Sequence, residues 1–227
     1  MCGAVVVIFR AAAMKWGRPV TRNIVGFYWT LPVNWAGFRK LPSNVDDAAA
    51  VSRTIRYQRE RVRRYVTEEH SALVEEIAFM DMQPDRATEI VQEELRPIAT
   101  KYAGLATLVY VAFDEVHRWR HNPYLANLHQ TFGLDVLPLS PEPVLIDGVE
   151  FDPIRHFAKW RETDRNTKTR MQYEGRLGMR EALSAVPTGE GRWQAIADRL
   201  NADGIKTIRG GNWTAENVRK MANRLGP

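Results

Sequence analysis

The chain has 227 residues, 44% hydrophobic and 26% charged, the proportions of an ordinary globular protein with room for one mid-sized domain and a smaller one. Its net charge of +5 is unevenly placed: from Asp152 onward 15 Lys/Arg stand against 9 Asp/Glu, and before that point 17 stand against 18. The single cysteine, Cys2, excludes an internal disulfide and a cysteine-rich zinc site, and no apolar run approaches the roughly 20 residues of a membrane span. A reducing, cytoplasmic setting is expected, with no membrane partner, no cofactor and no metal. The basic last third is expected to face nucleic acid.

Residues 1–22 read as an N-terminal extension. The run AVVVIF is short, is interrupted by Arg10 and lacks the charged start of a signal peptide, and Met14 offers a second start beside Met1. Asn23–Thr30 (NIVGFYWT) has the β-branched and aromatic content of a buried strand. The segment after it, rich in proline, glycine and asparagine and without period, predicts a loop. Ala48–Thr67 reads as a helix with Val51, Ile55, Gln58, Val62 and Tyr65 on one face. Arg53, Arg56, Arg59, Arg61, Arg63 and Arg64 make up the other, expected to be solvated.

Ser71–Phe79 predicts a second strand. Asp85–Tyr102 predicts a helix with Ile90, Val91, Leu95 and Ile98 inward. Leu105–Phe113 (LATLVYVAF) is a continuous apolar run suited to the middle of a parallel sheet. A short helix over Asn122–Gln130 and a strand over Asp135–Leu139 complete an alternating order, which defines an α/β fold: an open, mostly parallel sheet flanked by helices over residues 23–150. Ligand or catalytic groups of such sheets gather at the carboxyl ends of the strands, here Trp29–Thr30–Leu31, Met80–Asp81 and Asp114–Arg118.

Pro138–Pro153 reads as a connector. Ile154–Ala185 turns helical, with a bend expected at Gly175 and Gly178, so that residues 151–186 form a helical connecting segment. PTGEG at 187–191 leads into a small all-α domain, 187–227. There Trp193, Ile196, Ala197 and Leu200 share one helix face, and Gly204 supplies the left-handed stop. The Gly210–Gly211 pair interrupts helix, and Thr214 stands where the next helix needs its N-cap. In that second helix Val218, Met221 and Leu225 face inward, leaving Asn217, Arg219, Lys220 and Arg224 for a partner. A helix, a glycine-marked connection and a basic second helix are how a helix-turn-helix meets a major groove, and equally how a helical hairpin shows a solvated face.

The stretch IADRLNADGIKTIRGGNWTAENVRKM resembles the C-terminal DNA-binding "recombinase" domain of large serine recombinases, through Ala197, Leu200, Asn201, Gly204, Ile205, Arg209, Gly210, Gly211, Trp213 and Thr214. Residues 23–150 resemble, collinearly, the catalytic domain of the resolvase/invertase serine recombinases. Where that family carries Gly-Tyr-x-Arg-Val-Ser, this chain has GFYWTL, so Trp29 stands at the arginine position and Leu31 at that of the nucleophilic serine. Gln58 and Arg59 match a Gln-Arg pair, Arg86 a later arginine, and Asp114 and Arg118 part of the motif after the core strand, in which Glu115 replaces an arginine.

The resemblance therefore implies a scaffold without its chemistry: leucine has no oxygen to attack a phosphate, and tryptophan and glutamate replace two cations. Thr30, one residue from the lost nucleophile, is expected to face the other side of the strand. Of the remaining candidates, His117, His121 and His129 lack the ordered carboxylates of a metal site, and Ser43 and Ser52 suit turns or caps.

What the resemblance implies is a double-stranded DNA-binding, nucleoid-associated regulator or accessory factor, homodimeric through the 151–186 helix, with no catalytic residue. Asn217 and Arg219 would meet base edges, Arg209 the backbone or minor groove, and Lys220 and Arg224 phosphates, with Thr214 opening the helix. Two alternatives stand beside it: a divergent but active site-specific recombinase, and a protein-interaction module.

Overall fold

A computed structural model describes residues 22–82, 89–113 and 123–225. Four parallel strands form the sheet: β1 (Asn23–Thr30), β2 (Ala72–Met80), β3 (Thr107–Val111) and β4 (Asp135–Leu139), in the order β2-β1-β3-β4. β1 lies inside the sheet, and its alternation sets the two cores. Ile24 and Tyr28 point to one face, where they meet α1 (Val45–Val51) and α2 (Arg53–Glu68) through Ala48, Ile55 and Val62. Val25 and Phe27 point to the other, where α3 (Ile90–Tyr102), α4 (Pro123–Ala126) and α5 (Leu128–Phe132) bring Val91, Leu95, Leu125 and Leu128. The result is a helix–sheet–helix sandwich, as the strand–helix alternation predicts.

Several local expectations need correction. The helix read as Ala48–Thr67 is two helices. Asn44 caps α1 by accepting from Asp46 N and Asp47 N, and Ser52 caps α2 by accepting from Ile55 N. The chain turns at Ser52, so Val51, expected inside, is 57% exposed. Ile90, also placed inward, is exposed at the start of α3. The arginine face of α2 is not simply solvated. Arg61 is buried and pairs with Glu142, Arg59 pairs with Asp46 and Glu60, Arg63 with Glu76, Arg64 with Glu68, and Arg56 with Asp147.

The expected connector 138–153 contains a hairpin, β5 (Val144–Ile146) and β6 (Val149–Phe151), closed by Asp147 and Gly148, both at positive φ. It seats Val144 and Phe151 in an aromatic cluster with Tyr57, Phe113 and Phe157.

α6 (Pro153–Ala185) follows with Asp152 as its N-cap and runs unbroken for 33 residues, roughly 50 Å. The expected bend at Gly175 and Gly178 is absent because both glycines are buried contact points. A Cβ on Gly175 would lie 3.3 Å from the ring of Trp213, and one on Gly178 would collide with Ile205. Close packing, not flexibility, accounts for these two glycines.

α7 (Arg192–Ala202) and α8 (Ala215–Leu225) close against the end of α6. Met179 and Ala182 from α6, Ile196, Ala197 and Leu200 from α7, and Val218 from α8 form one buried cluster around Trp213. Among the described residues, this three-helix module meets the sheet domain at a 3-10 turn. The 3-10 turn Asn34–Ala36 lies against Gly210, and Trp35 Nε1 donates to Asp164 Oδ1 of α6 at 2.8 Å. No helix among the described residues is long and apolar enough to cross a membrane.

Candidate nucleic-acid interface

α8 is amphipathic by spacing: Val218, Met221 and Leu225 turn to the three-helix cluster and the polar side chains turn away. Thr214 Oγ1 accepts from Asn217 N at 3.3 Å and holds the first turn in place.

The connection between α7 and α8, residues 203–214, is long for a helix-turn-helix but tightly bonded. Gly204, at φ +72°, ends α7. The carboxamide of Asn201 accepts from Trp213 N at 2.8 Å and donates to Trp213 O at 3.0 Å. Thr207 and Gly211 exchange hydrogen bonds, Thr207 N donating to Gly211 O at 2.9 Å and Gly211 N to Thr207 Oγ1 at 3.1 Å. Arg209 rides on the tip of this closed turn, exposed, with Gly210 beside it at φ +75°.

The turn, α8 and the middle of α6 enclose a groove of about 510 Å³. Asn217, Lys220 and Arg224 line one wall, Gln172 and Arg176 the other, with Arg209 at the mouth. Four of the six residues picked out from sequence thus converge on one concave surface. The other two do not: Thr214 is engaged as the cap, and Arg219 is exposed but outside the groove. Arg176 is the groove cation the sequence reading missed, because nothing in its own neighbourhood says that α6 packs back beside α8.

Lys220 and Glu216 form an exposed ion pair at 2.6 Å, and that pairing holds the Glu216 carboxyl below its usual range. Such a surface pair contributes little and exchanges readily for another anion. Trp213 forms part of the groove wall. Its indole Nε1 is buried without a hydrogen-bond acceptor among the described residues.

At the carboxyl end of β1 the geometry is different. Trp29 packs edge-on to Phe113, with ring centroids 5.8 Å apart, inside the aromatic cluster. Gln58 is fully buried and acts on backbone, accepting from Trp29 N at 3.1 Å and donating to Trp29 O at 2.6 Å. Thr30 ends β1, and it and Leu31, one residue beyond the strand, are both among the residues that line a cavity at this strand end. Arg59 is held by Asp46 and Glu60. Arg86, Asp114, Glu115, His117, Arg118 and His121 lie outside the described residues. His129 pairs with Asp135 at the surface, and Ser52 is a helix cap. Among the described residues no three His, Cys, Asp or Glu side chains gather as metal ligands would.

Comparison with family models, with curated proteins and with solved structures found no match to this chain. Fold and groove together define a class: an α/β protein joined by one long helix to a small basic helical module.

Proposed function

We propose that this chain binds duplex DNA through the groove between α6 and α8, on a scaffold of the serine recombinase type that does not cleave strands, and serves as a homodimeric regulator or accessory factor. The observation that carries the reading is the convergence of Arg176, Arg209, Lys220 and Arg224 with Asn217 around one concave surface. Phosphate contacts by such cations supply affinity and register, and an asparagine at a helix N-terminal turn is suited to an adenine edge. The parallel order β2-β1-β3-β4 is compatible with a resolvase-like domain. Leu31 in place of an oxygen nucleophile, and Trp29 committed to aromatic packing, support the absence of cleavage.

The test is a gel-shift titration of the full chain with duplex DNA across a salt series. Replacing Arg209 and Arg224 by Ala should weaken binding and lower the salt slope by about 0.9 for each phosphate contact removed. Unchanged affinity would overturn the interface. A covalent protein–DNA adduct on incubation would overturn the absence of cleavage.

A further inference from the structure

The cavity at the carboxyl end of β1, about 300 Å³, is a further concave site among the described residues and is not used by the interface above. It lies where α/β sheets commonly take their ligands, and its size suits a compact small molecule rather than a macromolecule. Four aromatic rings, Trp35, Phe38, Phe157 and Trp160, join aliphatic side chains such as Leu31 and Val33 in its apolar walls.

Among the described residues that line it none is acidic, and Arg53 is the one cation that needs no proton uptake to carry its charge. Arg53 is exposed and forms no ion pair among the described residues, while burial, and then the nearby Arg53 charge, hold His156 below the usual imidazole range. The 16-residue α2 begins at Arg53, so the Arg53 and Thr54 amides have no intrahelical acceptor, while the Ser52 cap serves Ile55 N. Independently of that helix end, Thr30 is only 5% exposed, lines the cavity, and has a hydroxyl without a hydrogen-bond partner among the described residues. That hydroxyl is therefore free to engage a ligand oxygen in the cavity.

We propose that this cavity binds a small aromatic monocarboxylate, its ring between Trp35 and Trp160 and its carboxylate on Arg53, the first amides of α2 and the Thr30 hydroxyl. Charge-assisted hydrogen bonds to a guanidinium in a partly closed site separate a carboxylate from its neutral amide, while the stacked rings separate it from inorganic anions.

Calorimetric titration of the full chain with phenylacetate, phenylacetamide and inorganic phosphate tests the assignment without any DNA, so its outcome is separate from that of the interface. Phenylacetate should bind saturably, and the amide and phosphate each roughly tenfold or more weaker. Arg53→Gln should remove the preference for the acid over the amide while leaving the amide's affinity in place. Arg53 makes no ion pair among the described residues whose loss would disturb the fold, and Thr30→Val, near-isosteric, should weaken the acid alone. Equal affinity for acid and amide, unchanged binding by Arg53→Gln, or no saturable binding of phenylacetate in the millimolar range would overturn the proposal.

Discussion

The carboxamide of Asn201 brackets the peptide of Trp213, taking its N–H at 2.8 Å and giving a hydrogen to its carbonyl at 3.0 Å. The twelve-residue connection is pinned at its far end in this way, and the indole is delivered against Gly175. Asn201→Asp keeps the acceptor but turns the donor into a second oxygen facing the carbonyl. We expect this variant to lose about 1–3 kcal/mol of stability in urea unfolding. Asn201→Gln, with the same groups on a longer stem, should not restore the bracket.

Gln58 does the same for Trp29, at a point where β3 no longer pairs with β1. Gln58→Leu removes the two carboxamide hydrogen bonds to the part-buried Trp29 peptide and should cost about 1–3 kcal/mol. The midpoint of denaturant unfolding, followed by far-ultraviolet dichroism, reads this directly. A change below a few tenths of a kcal/mol would show that water reaches the freed groups.

Gly210 has no room for a side chain. A Cβ there would lie 2.8 Å from both Asn34 O and Trp35 Cα, and its φ of +75° disfavours any other residue. Because the obstructing atoms are backbone, Gly210→Ala should cost about 1–3 kcal/mol and part the helical module from the 3-10 turn. Faster proteolytic cleavage near Arg209, at unchanged secondary structure, is the expected signature.

Arg176 distinguishes a groove from a lone recognition helix. If both walls meet the phosphate backbone, Arg176→Ala should weaken duplex binding and reduce the salt slope much as Lys220→Ala does. If α8 acts alone, Arg176→Ala should leave the gel-shift titration unmoved.

Two phenols should resist alkali. Burial, and then the charge of Glu76 and the hydrogen bond Tyr28 donates to it at 2.7 Å, push Tyr28 well above its ordinary 10. Burial likewise raises Tyr57, whose hydroxyl donates to Glu142 O at 2.8 Å. Raised folded values mean that the native state holds protons the unfolded chain releases. The stabilisation is therefore complete below about pH 10 and declines above it. Ultraviolet difference titration should show Tyr28 and Tyr57 ionising only as the protein unfolds.

The sheet was legible where composition was extreme. β1 and β4 have the expected bounds, and the apolar run around β3 lies inside the sheet, because strands buried on both faces leave a continuous signature. The strands of the hairpin at 144–151 escaped notice because three residues are too few to show a period, although Asp147–Gly148 marked the turn. The glycines of α6 were read as weak points because propensity is local, whereas Trp213 and Ile205, which require them, arrive from distant sequence. The same limit governed the interface. Asn217, Lys220 and Arg224 announced themselves by helical phase, and Arg176 could be found only once α6 lay beside α8.

The unbroken course of α6 makes the bearing between the two bodies a matter of counting. Each residue added to a helix lengthens it by about 1.5 Å and swings its load through about 100°. A single deletion between Arg165 and Arg170 would carry the basic groove to another quadrant and lift Gly210 from its seat at Trp35. Along that span side chains are free to drift, while the tally of residues is not.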